Sequence, residues 1–103
     1  MAEAAATDHD NIIAWTSQQF GLRQARSYAR TLSLALQYLA GGPSQVGIRA
    51  RPEIGDDLLT LHVAGSGRPG RHLLLLRYQP GGLVMEVLRI LHDSMDLPLH
   101  SPD

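Results

Sequence analysis

Apolar residues recur at three- and four-residue steps through the first 40 positions of this chain, and at two-residue steps or without interruption from position 58 onward. A helix repeats every 3.6 residues and a strand every two, so the pattern predicts helices first and strands afterwards. The first helix is expected from about Glu3 to Phe20, where Ala5, Ile12, Ile13, Thr16 and Phe20 mark one face. Thr7 is an alternative N-cap for a shorter helix, with Asp10 at the capping-box offset. Gly21 ends the element, and a second helix follows from Leu22 to Ala40 on a stripe of Ala25, Tyr28, Ala29, Leu32, Leu36 and Leu39. Gly41-Gly42-Pro43 stops it. Two helices separated by one glycine predict an antiparallel hairpin over residues 3–40.

Residues 43–57 show neither period and read as a connector, extended around Arg49-Ala50-Arg51-Pro52 because of its proline. Three strands are predicted beyond it, at Leu58–Ala64, Arg71–Tyr78 and Leu83–Leu91, separated by GSGRPG and QPGG. Such short connections favour an antiparallel meander. The middle strand is apolar at both parities, with Leu74 and Leu76 on one face and Leu73 and Leu75 on the other, which places it centrally. The fold class expected is α+β: one domain in which the hairpin covers a three-stranded sheet over residues 58–91, followed by a tail at 92–103.

Composition narrows the classes. At 103 residues, 44% hydrophobic and 18% charged, the chain fits one small globular domain. The absence of cysteine excludes disulfides and thiolate-ligated metals. The start, MAEAAATDHD, lacks the basic and apolar regions of a leader, and no run approaches the roughly 18 apolar residues of a membrane span, so a cytoplasmic protein without a membrane partner is expected. All nine cations are Arg and lie within residues 21–91, against four acids there, while both ends are acidic. Such a basic middle suits an acidic partner or a nucleic acid.

The five histidines at 9, 62, 72, 92 and 100 form no HxH or HxxxH pair, so neither a metal nor a cofactor is expected. GSGRPG lies between strands and lacks the Lys of a phosphate loop, and no GxSxG elbow exists. Arg77 and Arg89 interrupt apolar strands. Pairing around QPGG would bring them toward a shared anionic group; alternatively each snorkels or pairs with Glu86 or a tail aspartate.

Three stretches carry more than spacing: DNIIAWTSQQFGLRQARSY at 10–28, GRHLLLLRY at 70–78 and EVLRILHDSMD at 86–96. Together they resemble the RelE/ParE superfamily of type II toxin–antitoxin toxins, and its ParE branch most closely, over about Glu3 to His100. The resemblance implies a small toxin held inactive by a ParD-like antitoxin that itself binds DNA, with no sequence-specific DNA binding by this chain. ParE-like members are associated with poisoning DNA gyrase, and RelE-like members with cleaving mRNA on the ribosome. The nuclease branch has a basic residue where this chain has Leu73, and the chain also lacks that branch's Lys residues and C-terminal Tyr. A toxin acting by binding, without catalytic residues, is therefore favoured; a ribosome-dependent endoribonuclease and a decayed toxin that still binds antitoxin are the alternatives.

The target-binding surface expected from the resemblance is Arg77, Arg89, His92, Asp93, Met95 and Asp96, and the antitoxin-binding one Tyr28, Arg30, Arg49 and Arg51. Two departures stand out. Relatives begin with a short strand ahead of the first helix, and MAEAA offers none, so either the natural start lies upstream or the sheet is one strand short. Leu76 stands where the family usually has an aromatic, a loss of bulk expected at a partner surface.

Overall fold

The computed structural model describes residues 1–78 and 85–94. Helix α1 spans Glu3–Phe20 and α2 spans Leu22–Tyr38, with the chain turning at Gly21, whose φ of 91° suits a residue without Cβ. The N-cap of α1 is Ala2, so Thr7 lies inside the helix and the shorter alternative is excluded. Thr16 and Thr31 are buried within the helices and bond back to the carbonyls of Ile12 and Ser27, which satisfies their hydroxyls locally. A single 3₁₀ turn, Leu39–Gly41, replaces the predicted last turn of α2.

Four strands follow in place of the expected three. They are β1 (Ile48–Ala50), β2 (Leu58–His62), β3 (His72–Tyr78) and β4 (Met85–His92), in an antiparallel sheet whose spatial order is the chain order. The added strand comes from the connector: the extension imposed by Pro52 lets Ile48, Arg49 and Ala50 pair with Leu61, Thr60 and Leu59. Periodicity could not reveal it, because three residues are too few to show a period. The fourth strand thus lies at the β2 edge of the sheet. At the other edge Ala2 makes one strand-like bond, its amide donating to the Val87 carbonyl at 2.8 Å. Strand β2 also stops two residues early, because Val63–Ser66 forms a 3₁₀ segment whose N-cap, His62, accepts a bond from the Ala64 amide. The QPGG turn and Leu83 lie outside the described residues.

Apolar side chains fill both faces of the sheet. On one, Leu61, Leu74, Leu76, Val87 and Ile90 pack with Ala5, Leu32 and Ala35 of the helices. On the other, Leu58, Leu73, Leu75, Leu88 and Leu91 form a second cluster with Ile54. Strand β3 supplies both clusters, as its double-parity leucines require. A bulge between Leu75 and Leu76 shifts the register against β4. Among the described residues no helix is long and apolar enough to cross a membrane.

Candidate functional site

Where the ends of β3 and β4 meet the middle of α2, three imidazoles and a phenol converge. The amide of Arg71 donates to the Tyr28 hydroxyl at 3.0 Å, and that hydroxyl is hydrogen-bonded to His72 Nδ1 at 2.6 Å, which places the His72 proton on Nε2 when the phenol is the donor. The Ser94 amide and hydroxyl both donate to His92 Nδ1, and the Ala64 amide donates to His62 Nδ1. With Nδ1 occupied as an acceptor, each neutral ring carries its proton on Nε2. His62 spends that proton on Asp93 Oδ2 at 3.0 Å. The rings of His72 and His92 meet edge to face, 5.4 Å between centroids, and neither Nε2 has a hydrogen-bond partner among the described residues.

Gly70 makes this junction possible. A Cβ there would come within 2.5 Å of the Val63 side chain and 3.4 Å of the Tyr28 hydroxyl. Arg68 fastens the same loop to α2 by bonding Thr31 Oγ1 and the Ser27 carbonyl. Together they border a groove of about 860 Å3 that runs from the loop across the hairpin to Trp15 and Phe20. Those two rings are in edge-to-face contact at 5.8 Å and are more than half exposed.

Burial sets the titration of the cluster. It pushes the His72 pKa down, helped by His92 and opposed by Asp93; His62 also lowers it and Asp8 raises it. Burial likewise raises the Tyr28 pKa, against the bond from the Arg71 amide. Asp93 is held below the usual carboxylate range, first by its bond to His62. The unfolded chain therefore takes up a proton at His72 before the folded chain does, and stability contributed by neutral His72 is present above about pH 6.5 and lost as pH falls through the lower folded value. The urea midpoint should fall between pH 7.5 and pH 5, and His72→Asn should flatten that fall. Tyr28→Phe should lower stability by about 1 kcal/mol at pH 7.5, since the Arg71 amide can still reach water while His72 Nδ1 loses its donor.

The residues singled out in the sequence fall into separate places. Tyr28, His92 and Asp93 come together at the junction. Among the described residues Arg77 and Arg89 do not share an anion: Arg77 lies 3.1 Å from Asp57, and Arg89 holds both carboxylate oxygens of Asp8 at 2.7 and 3.0 Å. Arg30 is exposed on α2, Arg49 is exposed on β1, and Arg51 bonds Thr60 and lies 3.7 Å from Glu53 on the opposite side of the sheet from the groove. Met95 and Asp96 lie outside the described residues. His72, Trp15 and Phe20 were not foreseen at this site. The signal available was that Trp15, Phe20, Tyr28 and His72 all belong to stretches that matched the resemblance.

A family model for the ParE toxin of type II toxin–antitoxin systems, parDE, matches residues 1–97. The chain belongs to the ParE toxin family. Toxin ParE1 of Caulobacter vibrioides is 30% identical over 102 residues, covering 97% of this chain and 93% of that one. Membership places the chain in a two-component system and so implies an antitoxin partner. Within the matched span the junction of Tyr28, His72 and His92, the groove beside it and the Arg89–Asp8 pair are all contained.

Proposed function

We propose that this ParE-family chain halts growth by binding DNA gyrase and is neutralised by a ParD-like antitoxin. The observation that carries binding over RNA cleavage is the fate of the strand arginines. Arg77 and Arg89, the cations best placed to stabilise charge on a scissile phosphate, are each engaged by a carboxylate of this chain. Leu73, at the position where the nuclease branch has a basic residue, is only 8% exposed and lies in the apolar cluster on the side of the sheet away from the helices.

The target surface in this reading starts at the junction, with His92 and Asp93 at the end of β4, and continues to Met95 and Asp96. Arg77 stands near the other end of β3, opposite Glu86, and contributes to a separate part of the surface, while Arg89 serves the junction by holding α1 against β4. The antitoxin meets the exposed Arg30 and Arg49 with acidic side chains and reaches Tyr28 and Arg51 from the edges. Induced expression should arrest growth, and purified protein should inhibit supercoiling by gyrase. His92→Ala should weaken that inhibition by about tenfold, the loss of a central contact. Intact supercoiling at high toxin concentration, or codon-specific cuts in ribosome-bound mRNA, would overturn the reading. A small ribbon-helix-helix gene overlapping this one, whose product restores growth, is the expected source of the antitoxin.

A further inference from the structure

The groove between the hairpin and the 67–72 loop combines cationic groups with exposed aromatic rings. Among the described residues no carboxylate lines it, although the chain carries ten acidic residues; the nearby Asp93 lies 3.6 Å from His92 Nδ1 and is bonded to His62. Four groups that are cationic or able to become so do line it: Arg68, Arg71, His72 and His92. Among the described residues Arg68 is held by neutral acceptors, the Thr31 hydroxyl and the Ser27 carbonyl and hydroxyl. Arg71 is exposed, and its guanidinium meets no carboxylate within salt-bridge distance among the described residues.

The imidazoles add direction to that charge. The Ser94 amide fixes the proton of His92 on Nε2, and with the Tyr28 hydroxyl, itself held by the Arg71 amide, as donor to Nδ1, His72 carries its proton there too. Two N–H donors are thereby presented from rings 5.4 Å apart without any need for protonation. Donors held in place by backbone amides lose little entropy on meeting an anion, and a phosphate offers enough acceptor oxygens to engage both rings and Arg71 together. A carboxylate has only two oxygens to share among the same donors. At the other end of the groove stand Trp15 and Phe20, which leave more than half their area exposed and present ring faces and edges. Stacking on such rings suits a planar base and is insensitive to which base it is.

We infer that this groove binds a nucleoside monophosphate group, its phosphate between His72, His92 and Arg71 and its base against Trp15 and Phe20. The volume of about 860 Å3 accommodates one such unit. A free nucleotide and the phosphorylated end of a nucleic-acid strand present the same chemistry. The site shares His92 with the proposed target surface, but nucleotide binding is read without gyrase, so its test and the gyrase test fail separately.

Trp15 is the sole tryptophan of the chain and lines the groove, so its fluorescence reports occupancy directly. Titration of the whole protein with adenosine 5′-monophosphate should quench it saturably, with adenosine and inorganic phosphate each binding at least about tenfold more weakly. Arg71→Ser and His92→Gln should each weaken the nucleotide about tenfold, the value of one charge-assisted or oriented hydrogen bond. Both side chains sit at the surface end of the groove, and a kept urea midpoint identifies the loss as one of binding. As a second readout, the imidazole proton resonances of His72 and His92 should shift with the same midpoint as the fluorescence. A short single-stranded oligonucleotide with a 5′-phosphate that outcompetes the mononucleotide identifies a strand end as the ligand, and the reverse order identifies the free nucleotide. The inference is overturned by equal affinity for adenosine and its monophosphate, by quenching that neither variant changes, by the absence of saturable quenching, or by saturable quenching with an acidic peptide alone.

Discussion

Asp8→Ala is expected to lower the free energy of unfolding by about 2–3 kcal/mol, the largest effect of any surface-facing substitution in α1. Asp8 accepts from the Arg89 Nε at 2.7 Å and Nη2 at 3.0 Å, and from the backbone amide of Ile90 at 3.0 Å. Its side chain is 15% exposed and that of Arg89 36%. The pair is therefore partly desolvated, which makes the bidentate geometry worth more than a surface ion pair and makes its loss leave a cation and an amide behind. The bond from Asp8 is also the main reason the Arg89 pKa is raised.

The size of the effect follows from how little else holds α1. Only Ala5 and Thr16 of its 18 residues are buried, with Ile12 and Ile13 adding partial contacts. A helix with so small an apolar face depends on its polar anchor. Urea denaturation of Asp8→Ala, Arg89→Ala and the double variant provides the check. The double variant should be less destabilised than the sum of the singles by at least about 1 kcal/mol, since each single change strands the other group. Additive effects would show that the two side chains do not stabilise the fold through each other.

This pair also marks a boundary of what the chain reveals before it folds. Arg89 was conspicuous as a charge inside an apolar strand, with a shared anion beside Arg77, snorkelling, or pairing with Glu86 or a tail aspartate as its open readings. Its partner is instead 81 residues away in α1, a pairing that depends on how the hairpin lies across β4. Local elements were legible because each carries its own period: both helices lie within two residues of their expected bounds, and β3 is central between β2 and β4. Strand β1 was not legible, since its three residues acquire a strand conformation only by pairing with β2. The junction was half legible. Tyr28, His92 and Asp93 were singled out one by one, but their meeting with His72 rests on a tight approach at Gly70 and on backbone amides, for which residue identity gives no sign.

Leu76 gives the second large effect and reverses an expectation. It stands where the family usually has an aromatic, and the missing bulk was expected to bear on a partner surface; instead it is fully buried, 0% exposed, in the helix-facing cluster. It lies opposite Leu59 on β2 and Val87 on β4, directly after the bulge in the β3–β4 register. A cavity at that position is closed in by strands on both sides and cannot collapse easily, so Leu76→Ala should cost about 3–4 kcal/mol. Domains of this size are typically stable by about 5–15 kcal/mol, so the variant should show a much lower urea midpoint. Restoring an aromatic is not expected to help: Leu76→Tyr adds volume to a filled site and buries a hydroxyl, at about 1–3 kcal/mol. Leu76→Met, which conserves volume, should stay within about 1.5 kcal/mol of the parent. Growth arrest and antitoxin rescue separate the two roles. If Leu76 acts only through the core, Leu76→Met keeps both while Leu76→Ala loses toxicity in step with its folded fraction. A Leu76→Met chain that is stably folded yet no longer rescued by antitoxin would return this residue to the partner surface.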